Sequence, residues 1–338
     1  MLILGIECTA HTFGCGVASS DGEILANVNS EYIPDKGGIH PREAARHHAN
    51  VAPSILKSAL SKAGVEIEAV NGIAISLGPG LGPCLRTGAT VARALAAYFE
   101  KPLIPVNHCV AHIEIAKLIC DAEDPLVVYV SGGNTIIAAY AGGRYRVFGE
   151  TLDIALGNCL DVFARRAGLP HPGGPYIEKL AREGERFIPL PYVVKGQDVS
   201  FSGLLTAALK KLDEGERLED LCYSLQEVAF SMVCEVAERA IAHTMKKELL
   251  LTGGVAANRR LQEMLKAVAE EHGATFGVVP HEYARDNGAM IAWTGVLAMK
   301  HGITIPLEES FIKPRWRLDA VDVPWVGESE VAAIEEGS

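Results

Sequence analysis

Leu126-Val127-Val128-Tyr129-Val130-Ser131-Gly132-Gly133-Asn134-Thr135-Ile136-Ile137-Ala138-Ala139-Tyr140-Ala141-Gly142-Gly143-Arg144-Tyr145-Arg146-Val147-Phe148 reads as three β runs, Leu126 to Val130, Thr135 to Ala141 and Arg144 to Phe148, broken at two glycine pairs. Short segments rich in β-branched and aromatic residues, bounded by glycine, favour strands over helix. The chain opens the same way, with runs Leu2 to Ile6, Gly14 to Ser19 and Glu23 to Ser30 and a turn at Asp21-Gly22. After the opening triplet come a helix from about Pro41 to Ala63, a strand Gly72 to Ser76, a helix Leu85 to Phe99, a strand Leu103 to Val106 and a further helix from about Asn107. After the second triplet the order returns: a strand Glu248 to Thr252, a helix from about Asn258, a strand Thr275 to Val279 and a last helix from about Asn287 to Lys300. A β-β-β-α-β-α-β-α order occurring twice implies an internal duplication. The expected fold is α/β, with lobes 1–122 and 123–326 facing each other across a nucleotide cleft. Residues 151–247 interrupt the second copy as an all-helical insert ending in a long helix, about Leu218 to Met245. Residues 327–338 are small and acidic and are expected to be mobile.

The 338 residues, 49% of them hydrophobic and 34 of them glycine, suffice for two full cores and are too apolar for disorder. Eight cysteines stand at 8, 15, 84, 109, 120, 159, 222 and 234 without a C-x-x-C pair, which argues against a disulfide framework or a cysteine zinc site. With neither an apolar leader nor a run of spanning length, the chain is expected to be soluble and cytoplasmic. A formal net charge of −11 disfavours a surface that coats nucleic acid unaided. Contact with RNA then needs a local basic patch. The candidates are Arg42, Arg46, His47 and His48; Arg165 and Arg166; Lys210 and Lys211; and Lys313-Pro314-Arg315-Trp316-Arg317.

His108 and His112 stand four residues apart where strand hands over to helix, so both imidazoles share a face and can grip a divalent metal. Cys109 occupies the position where an H-E-x-x-H zinc peptidase needs glutamate, which disfavours peptide hydrolysis. Asp286, before the last helix, is an ordinary helix-start residue. On the duplication reading it also arrives from the second lobe and completes a metal site bridging both lobes, with Tyr129 as the phenol placed to join.

Three glycine-rich loops follow strands: Gly78 to Pro83, Ser131 to Thr135 and Thr252 to Asn258. Glycine lets backbone amides approach a phosphate closely. None is a P-loop, because G-x-x-x-x-G-K-[ST] is absent. Gly173-Gly174-Pro175 opens another helix, which carries Glu178. Glu178 and Asp161 could accept hydrogen bonds from a ribose, or serve only as helix-surface acids.

The chain resembles the tRNA threonylcarbamoyladenosine synthases, formerly the O-sialoglycoprotein endopeptidase family, in their archaeal and eukaryotic branch, the catalytic subunit of KEOPS. The carriers are Gly5 to His11, Gly78 to Gly88, Asn107 to His112, Ser131 to Thr135, Gly157 to Asp161, His171 to Pro175, Leu251 to Asn258, Asp286 to Ala289 and Arg315-Trp316-Arg317. The resemblance implies a duplicated actin-like ATPase fold of the sugar kinase, heat-shock and actin class. It implies iron or zinc on His108, His112, Tyr129 and Asp286. It implies ATP or an adenylate, with or without magnesium, against Tyr129, Val130, Ser131, Gly132, Gly133, Asp161, Gly174, Glu178 and Asn258. The implied reaction moves a threonylcarbamoyl group from threonylcarbamoyl-AMP to the adenosine 3′ of a tRNA anticodon, with tRNA and other KEOPS subunits, including a small protein kinase, as partners. Ala111 and Asn134 replace the Glu and His of bacterial relatives, which points to the archaeal branch. No catalytic nucleophile is required; Cys8 and Cys109 read as packing residues. Rival readings are a small-molecule kinase or ATPase of the same fold and a nucleotide-binding scaffold.

Overall fold

A computed structural model describes residues 1–34 and 38–326, so the acidic segment 327–338 lies outside the described residues. Its elements run β1 (Leu2–Glu7), β2 (Thr12–Ser19), β3 (Ile24–Glu31), α1 (Pro41–Ala63), β4 (Gly72–Gly78), α2 (Gly82–Tyr98), β5 (Leu103–Asn107), α3 (His108–Cys120), β6 (Leu126–Val130), β7 (Thr135–Ala141) and β8 (Arg144–Glu150). They continue with α4 (Leu156–Arg166), α5 (Gly174–Ala181), β9 (Val194–Lys195), β10 (Asp198–Val199), α6 (Ser202–Asp213), α7 (Leu218–Thr244), β11 (Glu248–Thr252), α8 (Arg259–Glu271), β12 (Thr275–Val278), α9 (His281–Ala284) and α10 (Gly288–Lys300). The expected elements are present with ends moved by a few residues. α2 begins at Gly82 rather than Leu85, because Pro83 fits the first turn of a helix, where no amide partner is needed.

The chain forms two compact units, and they differ from the contiguous lobes expected. Met1–Leu118, Ala141–Tyr145 and the segment from Arg285 make the first; Ile119–Tyr140 and Arg146–Ala284 make the second. In the first, the sheet order is β3-β2-β1-β4-β5, antiparallel among β1, β2 and β3 and parallel through β4 and β5. Leu4, Ile6, Phe13, Cys15 and Val17 share one sheet face with residues of α1 and α2. Side chains alternate along a strand, so Gly5, Gly14 and Gly16 look the other way, and there α10 lies directly on the strands. A Cβ on Gly5 would stand 2.1 Å from the Ala292 nitrogen, and one on Gly16 2.4 Å from the Ala289 nitrogen. Gly5 and Gly16 also pair across β1 and β2. Only glycine lets helix and strand backbones approach this closely, and that contact places the segment from Arg285 in this unit.

In the second unit the sheet order is β12-β11-β6-β7-β8, with β6–β7 antiparallel and β11 parallel to both β6 and β12. Taking β6, β7, β8, β11 and β12 as counterparts of β1, β2, β3, β4 and β5, the two sheets have the same order, as a duplication requires. A core containing fully buried Phe163, Phe201 and Phe230 packs α4 to α7 against this sheet. The insert is not all-helical. Val194–Lys195 and Asp198–Val199 pair antiparallel across a turn in which Gly196 takes φ +65°, a conformation glycine adopts without strain.

Candidate metal centre

β5 ends at Asn107, whose Oδ1 accepts from the amides of Cys109 (2.9 Å) and Val110 (3.2 Å) and so caps α3. The cap puts His108 in the first turn and His112 one turn later on the same buried face. Their ring centroids are 4.7 Å apart with planes at 81°. Asp286 stands two residues before α10. Its neighbour Asn287 caps that helix by accepting from Met290 N at 2.9 Å, and Gly288 N donates to Asn29 Oδ1 at 3.1 Å. Thus anchored, Asp286 Oδ1 lies 3.2 Å from His112 Nε2 and 3.5 Å from His108 Nε2. One ligand atom from each of the three residues falls within 4.8 Å of the others. Donors about 2.1 Å from a tetrahedral ion stand about 3.4 Å apart, so these separations suit one cation.

Behind His108 lies Glu7, fully buried at the end of β1. Its Oε2 is 3.1 Å from His108 Nδ1, and its Oε1 accepts from the amide (2.6 Å) and hydroxyl (2.5 Å) of Thr9. Thr9 Oγ1 is itself 3.2 Å from the same ring nitrogen. A carboxylate acceptor at Nδ1 assigns the proton there and leaves the Nε2 lone pair for the cluster, as behind metal-binding histidines. Burial alone would lower the pKa of His108, but the Glu7 and Asp286 carboxylates outweigh it and hold it at about 9, so a cation at Nε2 would take the place of the second ring proton. Burial lowers His112, against its bond to Asp286. For Asp286 burial works upward, yet the two imidazoles hold its carboxyl well below the usual range. Two carboxylates thus converge on His108 and call for positive charge between them. Two imidazoles with a carboxylate, backed by a second carboxylate, fit a divalent transition metal better than magnesium, which prefers oxygen donors and waters.

The carboxylate arrives otherwise than the sequence suggests. Asp286 belongs to the same unit as both histidines, because α10 packs on β1 and β2. Tyr129 belongs to the second unit; it is buried at the end of β6, and Asn134 Nδ2 donates to its hydroxyl at 3.3 Å. Glu7 and Thr9 were not singled out from the sequence as site residues. Their signal was an acid ending an otherwise apolar strand, which in a buried strand demands a partner.

The residues expected to hold a nucleotide all lie in the second unit. Ser131 N donates to Asn134 O at 2.8 Å, and Ser131 Oγ accepts from Asn134 N at 3.0 Å and Gly133 N at 3.3 Å, closing a tight turn with Gly132 and Gly133 exposed. Gly157 N, in the first turn of α4, donates to Ser131 O at 3.1 Å. Asp161 Oδ1 accepts from Gly173 N at 2.7 Å, so it orders the glycine pair opening α5, and a Cβ on Gly174 would meet nothing within 4 Å. Glu178 Oε1 accepts from Arg182 (2.7 Å) and from Arg259 N (3.3 Å), beside Asn258. Asn258 caps α8 through the amides of Arg260 (3.0 Å) and Leu261 (3.2 Å) and donates to Gln226 Oε1 at 2.9 Å. Val130 is fully buried. The cysteines behave as packing residues: burial pushes the Cys109 thiol up to about 12 and that of Cys8 well above its ordinary value.

No helix among the described residues is long and apolar enough to cross a membrane. Residues 23–293 match the TsaD family, described as tRNA N6-adenosine threonylcarbamoyltransferase. A protein of that name from Thermofilum pendens is 61% identical over 96% of this chain and 96% of its own length. One from Methanopyrus kandleri is 56% identical over the full length of both. A probable bifunctional tRNA threonylcarbamoyladenosine biosynthesis protein of Methanocaldococcus jannaschii is 58% identical over 97% of this chain but only 61% of its own length. Among solved structures, T. kodakarensis HypF superposes with a TM-score of 0.63 at 17% identity, over 89% of this chain and 48% of that one. Component A of the Acidaminococcus fermentans (R)-2-hydroxyglutaryl-CoA dehydratase gives 0.56 at 15% identity, over 88% and 98%. These neighbours share the actin-like ATPase fold that the family resemblance implied, in agreement with the doubled strand order. The chain belongs to the tRNA N6-adenosine threonylcarbamoyltransferase family and is a transferase.

Proposed function

We propose that this chain transfers the threonylcarbamoyl group of threonylcarbamoyl-AMP to the exocyclic N6 amine of the tRNA adenosine 3′ of the anticodon, forming threonylcarbamoyladenosine and AMP. The observation that carries the reading is the buried cluster of His108, His112 and Asp286, backed by Glu7, in a member of this transferase family. His108, His112 and Asp286 would hold iron or zinc, which would supply Lewis-acid polarisation of the carbamoyl carbonyl or orient the threonyl carboxylate. In the transfer the N6–carbon bond forms, the carbon–oxygen bond to the phosphate breaks, its electron pair leaves with AMP, and the amine loses a proton.

The protein's part is to hold and orient. The exposed turn Ser131-Gly132-Gly133 binds the leaving phosphate through the Gly132 amide, the Ser131 and Gly133 amides being engaged within the turn. Tyr129, Asp161, Gly174, Glu178 and Asn258 bind the adenosine of the adenylate or of ATP, with or without magnesium, while the fully buried Val130 packs the strand that carries Tyr129. Glu7 keeps His108 in the ligating tautomer. The enzyme works in the cytoplasm on tRNA together with other KEOPS subunits, including a small protein kinase. The longer bifunctional relative supports a second component of the same process. A kinase of the same fold has less support, since magnesium has little use for paired imidazoles.

The test is transfer from preformed threonylcarbamoyl-AMP to unmodified tRNA, with partner subunits added back, alongside metal content by mass spectrometry. His108→Ala and His112→Ala proteins should lose both metal and transfer. Full transfer by metal-stripped variants would show the mechanism to be wrong.

A further inference from the structure

Four basic patches compete as the place where RNA meets this acidic protein, and their ion pairs separate them. Arg46 pairs with Glu43, His47 Nε2 lies 3.0 Å from Ser30 Oγ and His48 is fully buried, which leaves Arg42; Arg166 pairs with Asp213, which leaves Arg165. Lys210 and Lys211 both reach Glu214, at 3.8 and 2.9 Å. In the fourth patch Arg317 pairs with Asp319, while Lys313 and Arg315, both exposed, have no carboxylate partner among the described residues. Among the described residues it is the one of the four patches that keeps two neighbouring cations without a carboxylate partner. Lys313 Nζ sits 4.4 Å from the centroid of the half-buried Trp316 ring. Lys313, Pro314, Arg315 and Trp316 line an open depression of about 560 Å³.

The segment is held rigidly, and what holds it is the scaffold of the metal cluster. Lys313 N donates to Leu77 O at 2.7 Å, Gly80 N to Pro314 O at 3.1 Å and Trp316 N to Lys313 O at 3.0 Å. A Cβ on Gly78 would stand 1.9 Å from Lys313 O. Asn107, whose Oδ1 caps the helix bearing His108 and His112, donates from Nδ2 to Trp316 O at 3.1 Å. A single side chain therefore ties the patch to the first turn of α3.

We propose that Lys313-Pro314-Arg315-Trp316 is the docking surface for the single-stranded loop of the substrate RNA, with Lys313 and Arg315 on phosphates and an unpaired base stacked on Trp316. This rests on the proposed transfer only for the identity of the RNA. Cations without internal partners gain most from phosphate, because no ion pair is broken on binding, and an indole accepts any base face. The cation–π contact holds Lys313 over the ring until a base takes its place.

The test uses the full chain and an anticodon stem–loop RNA with an adenosine 3′ of the anticodon, with fluorescence anisotropy across a salt series. In K313Q/R315Q the slope of log K against log salt should fall by about 1.4, two phosphate contacts at about 0.7 each, equivalent to about 25-fold weaker binding at 0.1 M salt than extrapolated from 1 M. K210Q/K211Q should match wild type. Quenching of indole fluorescence by the RNA should be lost in W316F, a substitution that keeps an aromatic ring at this position. The proposal is overturned if wild type fails to bind the RNA at low salt, or if K313Q/R315Q keeps both the wild-type slope and the wild-type KM for RNA. Patch-dependent binding with no transfer activity would sustain the docking surface and refute the proposed reaction instead.

Discussion

Gly16→Ala tests whether the backbone contact between β2 and α10 builds the metal cluster. The added methyl would stand 2.4 Å from Ala289 N, 2.5 Å from Gly288 C and 2.6 Å from Ala289 Cα, all backbone atoms that cannot rotate away. Carbon and its neighbours prefer about 3.5 Å, so α10 must retreat by about 1 Å at its first turn. Overpacking a well-fitted core costs about 1–3 kcal/mol, and an unyielding neighbour puts this case near 3. At 2–4 °C per kcal/mol, thermal unfolding of the first unit should begin about 6–12 °C earlier by calorimetry. The same shift carries Asp286 away from His108 and His112, whereas metal sites tolerate about 0.2 Å, so zinc retained against a chelator should fall in parallel. Gly203→Ala is the control: it lies in α6 with nothing within 4 Å of the added atom, and should be neutral or stabilising by up to about 1 kcal/mol. If both variants unfold together and bind zinc equally, the claim that glycine contact positions Asp286 is wrong.

Glu7→Gln keeps the shape at His108 but replaces one oxygen by a donor, which must face either the Thr9 donors or His108 Nδ1; metal affinity should fall about 10–100-fold in chelator competition while circular dichroism stays native. His48, fully buried with Nε2 3.0 Å from Ala10 O, has its pKa lowered to about 4, chiefly by burial. The unfolded state then binds the extra proton, so stability is intact above about pH 6.5 and falls by about 3 kcal/mol in all as pH drops towards 4; denaturant midpoints against pH should show this slope in wild type and lack it in His48→Gln. Asn258→Ala removes the α8 cap and the partner of Gln226, and should cost about 1–2 kcal/mol in urea unfolding together with weaker retention of AMP.

By itself the sequence determined the elements and their doubled order. The continuous apolar run Leu126 to Val130, the glycine pairs and the helical stretch Pro41 to Ala63 are local signals, carried by residues that touch within a turn or a strand. They gave the duplication and put His108 and His112 on one face, while the actin-like class came from the family resemblance. The hairpin at Gly196 escaped because two-residue strands have no period to read. Tertiary structure decided what those imidazoles meet: Glu7, 101 residues before His108, and Asp286, 174 residues beyond His112. It also decided that Asp286 joins their own unit, because three glycines on β1 and β2 admit the backbone of α10. Likewise, charge counts made four basic patches equal, and only the folded ion pairs set Lys313 and Arg315 apart. Contacts over such separations depend on which surfaces pack, and no local pattern in the chain records that.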